Sequence, residues 1–280
     1  GFAVPRPFWL ALAVSLLATP LTSRAAFSLT PYVPQVNFAN LAEQGRLLAQ
    51  DAARMLQLQQ FAIAQRQALL AVELAPDDGR GWLVLAESSL RLDDLPQATR
   101  ALEKAQQLAP KEPGVLFALG TVSFRQQAYG KAIDYFQRGL ELKPDSPGAL
   151  FDLGNVYLVQ KRYPEAVRNF QKAIDLRRDF WEAWNNIGLI NFEQGNDNAA
   201  LGAWDKALQL NNQAAETRLA RAALLHEQGK QKDAIDQARQ SLSSDPRYVD
   251  ADYLKQQLWG DRLLKATAAL LAEPQLKEAV

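Results

Sequence analysis

The same residue types recur along this chain every 34 residues. The most regular position is an alanine, found at Ala64, Ala98, Ala132, Ala166, Ala200 and Ala234. A period of this length is typical of repeat proteins, in which each unit cannot bury its apolar face alone and must stack on its neighbours. The register divides residues 45–248 into six units, at 45–78, 79–112, 113–146, 147–180, 181–214 and 215–248.

Each unit has the pattern of two helices joined by a turn. The first half places apolar residues at helical spacing, as in Trp82 and Leu85, and the second half does so again, as in Ala98 and Leu102. Turn residues such as Gly195-Asn196 separate the two halves. A small residue recurs in the first half of each unit, where it would let two antiparallel helices approach closely. These small residues are Ala52, Ala86, Gly120, Gly154, Gly188 and Ala222.

The pattern resembles the tetratricopeptide repeat, a 34-residue helix–turn–helix unit. The unit beginning at residue 147 shows the signature residues Leu150, Gly154, Tyr157, Ala166 and Phe170. The resemblance implies an all-α fold, a right-handed superhelical solenoid of six helix–turn–helix repeats. Residues 249–280 carry two further leucine stripes, and we expect them to form capping helices that shield the last repeat.

In this family the first helices of the units line a concave groove. The resemblance therefore places a partner-binding groove on Phe117, Thr121, Phe124, Phe151, Asn155, Leu158, Asn185, Asn186, Leu189 and Phe192. Its middle is aromatic and apolar, which in a soluble protein indicates an interaction site. The asparagines are candidates for hydrogen bonds to the backbone of a bound segment. The alternative is that the phenylalanines pack against neighbouring helices or against the N-terminal linker.

Composition argues against catalysis and against nucleic-acid binding. Lys+Arg 31 and Asp+Glu 31 balance, so the chain lacks the positive charge typical of a nucleic-acid binder. It contains no cysteine and a single histidine, His226, which leaves little for thiol chemistry, a metal cluster or a Ser-His-Asp triad. We expect no enzyme activity and no cofactor.

Residues 1–26 differ from the repeats. Arg6 precedes the uncharged run 8–21, and small residues follow near Ala25, a pattern typical of a cleavable export signal. A membrane anchor through residues 7–26 and a buried structural helix are the alternatives, although the apolar run is short for a span. We expect residues 27–44 to form a linker. The charge pattern favours the lumen or periplasm for the repeats.

A second resemblance covers residues 41–280. It is carried by the run 254–264, with Phe180-Trp181, the run 185–191 and the entry 48–53. These segments look like a cyanobacterial family of thylakoid tetratricopeptide proteins, which includes one that interacts with light-dependent protochlorophyllide oxidoreductase. The resemblance implies a membrane-associated scaffold in chlorophyll biosynthesis or photosystem assembly. Its partner would be that oxidoreductase or a photosystem subunit or assembly intermediate.

Other functions stay open at this point. The oxidoreductase works on the cytoplasmic side of thylakoids, whereas the N-terminal charges favour the opposite side. The chain could instead be an exported lumenal or periplasmic adaptor, or a constitutive structural subunit of a photosynthetic membrane complex. A carrier of a small hydrophobic ligand is a further alternative.

Overall fold

A computed structural model describes residues 37–277 of the chain. In this range the protein has fourteen α-helices, two 3-10 turns at Pro246–Val249 and Pro274–Leu276, and no strand. The helices are α1 (Phe38–Gln57), α2 (Phe61–Leu74), α3 (Gly79–Arg91), α4 (Leu95–Leu108), α5 (Pro113–Arg125), α6 (Tyr129–Leu142), α7 (Pro147–Val159), α8 (Tyr163–Leu176), α9 (Trp181–Glu193), α10 (Asp197–Leu210), α11 (Ala215–Glu227), α12 (Gln231–Ser244), α13 (Ala251–Gln256) and α14 (Asp261–Leu271).

Twelve of these helices form six successive pairs, α1–α2 to α11–α12, each packed on the next. The predicted all-α repeat solenoid is confirmed. From the second pair onward the first helix begins at the residue where the 34-residue register starts a unit: Gly79, Pro113, Pro147, Trp181 and Ala215. The first pair differs, because α1 begins at Phe38, inside the segment predicted as linker.

The turn inside each pair contains one residue in the left-handed region. The residues are Gln59, Asp93, Gln127, Lys161, Gly195 and Gly229, with φ between 57° and 78°. They stand 34 residues apart, so every pair reverses direction by the same backbone geometry. Glycine adopts this conformation without steric cost, whereas a side chain with a Cβ is strained there.

Close approach within a pair depends on the small residue of its first helix. A Cβ added to Gly188 would overlap the indole of Trp204, which is fully buried on the partner helix α10. The indole Nε1 donates a hydrogen bond to the carbonyl oxygen of Asn185 at 3.2 Å. The glycine therefore makes room for a large side chain that fills the interior of its own pair.

The second helices end at the same register position with or without a following proline. α8 ends at Leu176 and α10 at Leu210, where the junction residues are Arg178 and Asn212. At the end of α8 the backbone N–H of Arg177 donates to the carbonyl of Ala173 at 2.9 Å. The same bond forms before Pro76, from Ala75 to Ala71 at 2.9 Å, so the last turn of the second helix has the same backbone geometry whether or not a proline follows.

The predicted signal or anchor segment, residues 1–26, and most of the predicted linker lie outside the described residues. Among residues 37–277, none of the helices is both long enough and apolar enough to cross a membrane.

The C-terminal segment, defined here as residues 251–277, continues past the last pair. Its end packs on α12, as expected of a cap, but α14 lies against α11 and α9. These are first helices of their pairs, so α14 covers the face that was expected to form a groove.

Candidate partner-binding groove

The first helices α3, α5, α7, α9 and α11 line one face of the solenoid, which we call the groove. Its two ends differ. The open stretch, along α3, α5 and α7, contains two cavities. The filled stretch, along α9 and α11, is covered by the C-terminal segment.

The larger cavity of the open stretch has a volume of about 860 Å³. Phe124, Leu158 and Leu189 form part of its lining, together with Tyr129 and Tyr163. Its far wall is formed by residues 255–261 of the C-terminal segment, which include the loop 257–260 between α13 and α14. We call it the aromatic cavity. Three of the residues that the sequence placed in the groove therefore meet in one concavity.

The smaller cavity, of about 500 Å³, lies between α3, α5 and α7. Phe117 and Thr121 line it, as the sequence predicted, beside Glu87, Arg91 and Asp152. We call it the charged cavity. Glu87 and Arg91 occupy groove positions of the 34-residue register, whereas Asp152 does not, and none of the three was among the predicted partner-binding residues.

Burial controls the ionisation of the two carboxyl groups in the charged cavity. Desolvation raises the pKa of Asp152 to about 7, although the nearby positive charge of Arg91 opposes the shift. Desolvation likewise raises the pKa of Glu87, again against Arg91. Asp152 forms no ion pair with any residue in the described part of the chain. Arg91 is therefore the nearby cation that offsets both carboxylates.

Phe151 points into the protein rather than into either cavity. Its ring lies 5.5 Å from the ring of Phe170 and 4.9 Å from that of Phe180, centroid to centroid. Both partners are buried. For this residue the structure agrees with the alternative of packing against neighbouring helices.

The three asparagines form a chain of hydrogen bonds across the groove. Asn186 donates to Asn155 at 2.8 Å, and Asn185 donates to Asn186 at 3.2 Å. The hydroxyl of Thr217 then donates to Asn185 at 2.8 Å. Asn185 is only 1% exposed. These amides connect α7, α9 and α11 to one another, which satisfies much of their bonding capacity within the protein.

Phe192 is covered by the start of α14, and Leu189 is buried in the same cluster as Leu263. Phe192 is fully buried, and the guanidinium of Arg262 lies 3.9 Å above its ring centroid. The same guanidinium donates to the carbonyl oxygen of Phe192 at 2.5 Å and to carboxylates of Asp197 and Glu227 at 2.8 and 2.9 Å. Charge-assisted bonds of this kind are the stronger ones in proteins.

Glu193 holds the N-terminus of α14 from across the groove. Its carboxylate accepts hydrogen bonds from the backbone N–H groups of Arg262 at 3.2 Å and Leu263 at 3.0 Å. These are first-turn N–H groups, which have no partner inside their own helix. A Cβ on Gly260 would overlap the Glu193 carboxylate, so the close contact requires glycine at that position.

The rest of the contact is apolar, with polar bonds at its edges. Leu263, Ala266 and Leu270 are buried in one cluster with Leu219 and Ala223 of α11. The indole of Trp259 donates to Glu216 at 2.9 Å, and burial raises the pKa of that carboxyl.

At the far end of the segment, Glu273 accepts from Gln231 and pairs with His226, each at 2.7 Å. The hydrogen bond from His226, followed by that from Gln231, lowers the pKa of Glu273. The single histidine thus takes part in a side-chain pair. Across residues 37–277, no group of three or more His, Asp or Glu side chains is arranged to hold a metal ion.

Family models match the repeat region. Residues 35–178 match the model described as the cytochrome c-type biogenesis protein H TPR domain, and residues 151–215 match a tetratricopeptide repeat model. No curated protein sequence matches the chain.

Solved structures with the same fold share little sequence. In the APC/C hetero-tetramer Cut9-Hcn1 the similar chain is 23% identical with a TM-score of 0.65, over 82% of this chain and 50% of that one. Pseudomonas aeruginosa pilF is 20% identical with a TM-score of 0.63, over 78% and 98%. MamA residues 41-end from Desulfovibrio magneticus RS-1 are 19% identical with a TM-score of 0.53, over 62% of this chain and 97% of that one. Identities this low indicate a shared fold only.

Proposed function

Since this chain belongs to the tetratricopeptide repeat family, we propose that it is a non-catalytic scaffold whose open groove stretch binds a segment of a partner protein. The observation that supports this is the aromatic cavity of about 860 Å³, in which the partly exposed rings of Phe124, Tyr129 and Tyr163 lie over the buried Leu158 and Leu189. The neighbouring charged cavity continues the groove along α3 and α5. Apolar and charged side chains in succession suit the alternating side chains of a polypeptide.

We further propose that the partner belongs to the assembly of a membrane complex. The matched family is named for cytochrome c-type biogenesis, which is an assembly process. The narrower setting is chlorophyll biosynthesis or photosystem assembly at the thylakoid membrane, with protochlorophyllide oxidoreductase or a photosystem subunit as partner. The resemblance of residues 41–280 to the cyanobacterial thylakoid family supports it.

A second candidate is a structural subunit held through the outer face of the solenoid. It is favoured by a row of leucines at the ends of the second helices, each between 42% and 50% exposed. These are Leu108, Leu142, Leu176 and Leu210. Such a row offers apolar contact area on the second helices, outside both cavities of the groove.

The two candidates make opposite predictions for matched variants. Binding of purified protochlorophyllide oxidoreductase, and of solubilised photosystem subunits, is measured with the full chain. Groove binding predicts that Phe124→Ser weakens the interaction about tenfold or more, as expected for an apolar anchor at an interface, while Leu142→Ser leaves it unchanged. Circular dichroism checks that both variants remain folded. The reverse result would move the binding site to the outer face.

The side of the membrane on which the repeats lie requires a separate experiment. We propose a thylakoid-associated protein attached through residues 7–26 unless that segment is cleaved. N-terminal sequencing and protease accessibility in intact membranes test this. A chain that starts near Ala26 and resists external protease would be lumenal or periplasmic, which excludes the oxidoreductase as partner. Digestion from the cytoplasmic side, with residues 1–26 retained, would support the oxidoreductase as partner.

A further inference from the structure

The filled stretch shows how this groove binds a helix. α14 lies across α9 and α11 with Leu263, Ala266 and Leu270 on its buried side. Glu193 caps its N-terminus and Arg262 ties it to carboxylates on either side. An amphipathic helix laid into an apolar groove is a recurring mode of peptide recognition, and here the bound helix belongs to the same chain.

We propose that the groove face of α9 and α11 is a docking site for an amphipathic helix of the partner, and that residues 258–271 occupy it in cis until that helix replaces them. The inference rests on the proposed scaffold function. The partner helix carries an arginine in its first turn, followed by an apolar stripe in the pattern of Leu263, Ala266 and Leu270.

The connection to the occupying helix is suited to release. It consists of α13, which has six residues, and the loop 257–260. Leu258 in that loop has φ 66°, a strained conformation for a leucine that movement of the loop would relieve. The charged contacts of Arg262, Asp197 and Glu227 lie at the rim, with each side chain about one-third exposed, where water can replace them.

A partner helix that displaces α14 replaces one set of contacts with an equivalent set. A partner helix with the same stripe offers the groove the same apolar contacts and the same N–H groups for Glu193, so few interactions are lost overall. The outcome then depends on the partner's concentration relative to the effective concentration of the tethered helix. The apparent affinity for the partner helix is the intrinsic affinity multiplied by the fraction of molecules in which the site is vacant. Loosening the cis helix raises that fraction and should therefore tighten binding in trans.

The position of the loop links this site to the open stretch. Residues 255–261 form a wall of the aromatic cavity, and Asp261 lies 4.0 Å from Lys161 at its edge. A segment bound in the aromatic cavity therefore contacts the loop that carries α14. Occupation of the open stretch and release of the filled stretch are thereby coupled.

The test uses a fluorescent peptide of residues 255–277 as the probe and the full chain as receptor, with fluorescence anisotropy as readout. Arg262→Gln should bind the peptide about tenfold more tightly than the unmodified chain, because it raises the vacant fraction. Arg138→Gln, which removes an arginine–carboxylate pair on α6 outside the groove, should match the unmodified chain. A peptide carrying Leu263→Glu should not bind.

A cross-linked variant keeps the result decisive if Arg262→Gln fails to fold. The chain has no cysteine, so a Lys161→Cys, Asp261→Cys pair reacts alone with a short bismaleimide. The bridge should weaken peptide binding about tenfold or more relative to the unbridged pair. Equal binding with and without the bridge, or a folded Arg262→Gln that gains no affinity, overturns the proposal. Neither outcome affects the Phe124→Ser test of the open stretch.

Discussion

The open and filled stretches of the groove have the same backbone design and different side chains. The thirteenth residue of the unit is Arg91, Arg125 and Val159 in the open stretch, but Glu193 and Glu227 in the filled stretch. The two glutamates hold α14 by its N-terminus and by Arg262. The arginines of the open stretch cannot accept those bonds, and Arg125 instead donates to the carbonyl oxygen of Leu90 and to Asp93. The repeat gives both stretches the same backbone, and the side chain at this position gives them different charges.

The largest difference between the two stretches should appear in the stability lost when an apolar side chain is truncated. Leu263 is fully buried in the filled stretch, whereas Phe124 is half-buried at a cavity edge. We expect Leu263→Ala to lower the free energy of unfolding by about 2–5 kcal/mol and Phe124→Ala by less, because a buried truncation leaves a cavity. Urea denaturation measures the loss, and hydrogen exchange should locate it in α9–α14. Equal losses of unfolding free energy in the two variants would show that Phe124 is packed as tightly as Leu263, which would contradict the prediction.

The charged cavity should make the open stretch sensitive to pH. The folded state raises the pKa of Asp152 from 3.8 to about 7, so unfolding releases a proton between those values and stability falls as pH rises through the window. Asp152→Asn should therefore be more stable than the unmodified chain at pH 8, by on the order of 2 kcal/mol, and lose that advantage at pH 4. Asp134→Asn, an exposed carboxylate on α6, serves as control. A pH-independent difference for Asp152→Asn would contradict the prediction.

The turns should give the smallest contrast. The left-handed residue is Asp93, Gln127 or Lys161 beside the open stretch, but Gly195 or Gly229 beside the filled stretch. Gly195→Ala should cost about 1 kcal/mol, while Gln127→Gly should be neutral or stabilising by less than about 1 kcal/mol. Thermal unfolding of both variants measures the difference. A stabilised Gly195→Ala would show that this turn relaxes its conformation.

Much of the fold could be predicted from the sequence, because its signals are local and repeated. The starts of α3, α5, α7, α9 and α11 coincide with the 34-residue register. Helical periodicity and the small residues that admit Trp204 and its counterparts can be found within a single unit. The start of α1 could not be found in this way, because the first unit departs from the pattern and its preceding prolines resemble a linker.

The groove was predictable only in part. Phe117, Thr121, Phe124 and Leu158 line the open stretch, as their register positions imply. Phe151 occupies the position equivalent to Phe117 in its unit, but its ring packs against the rings of Phe170 and Phe180. Whether a groove position faces outward thus depends on which neighbours offer a better contact.

Apolar periodicity dictates which stripe of each helix must be buried, so the formation of stacked helix pairs follows from the amino-acid sequence alone. The position of α14 does not follow from that pattern and depends on tertiary contacts. Its leucine stripe would suit any apolar surface, and hydropathy alone does not distinguish the end of the last repeat from the groove. The choice rests on contacts between residues far apart in the chain, such as Glu193 with the N–H of Leu263 and Arg262 with Asp197. Such contacts leave no periodic signal, because each depends on a single pairing in space.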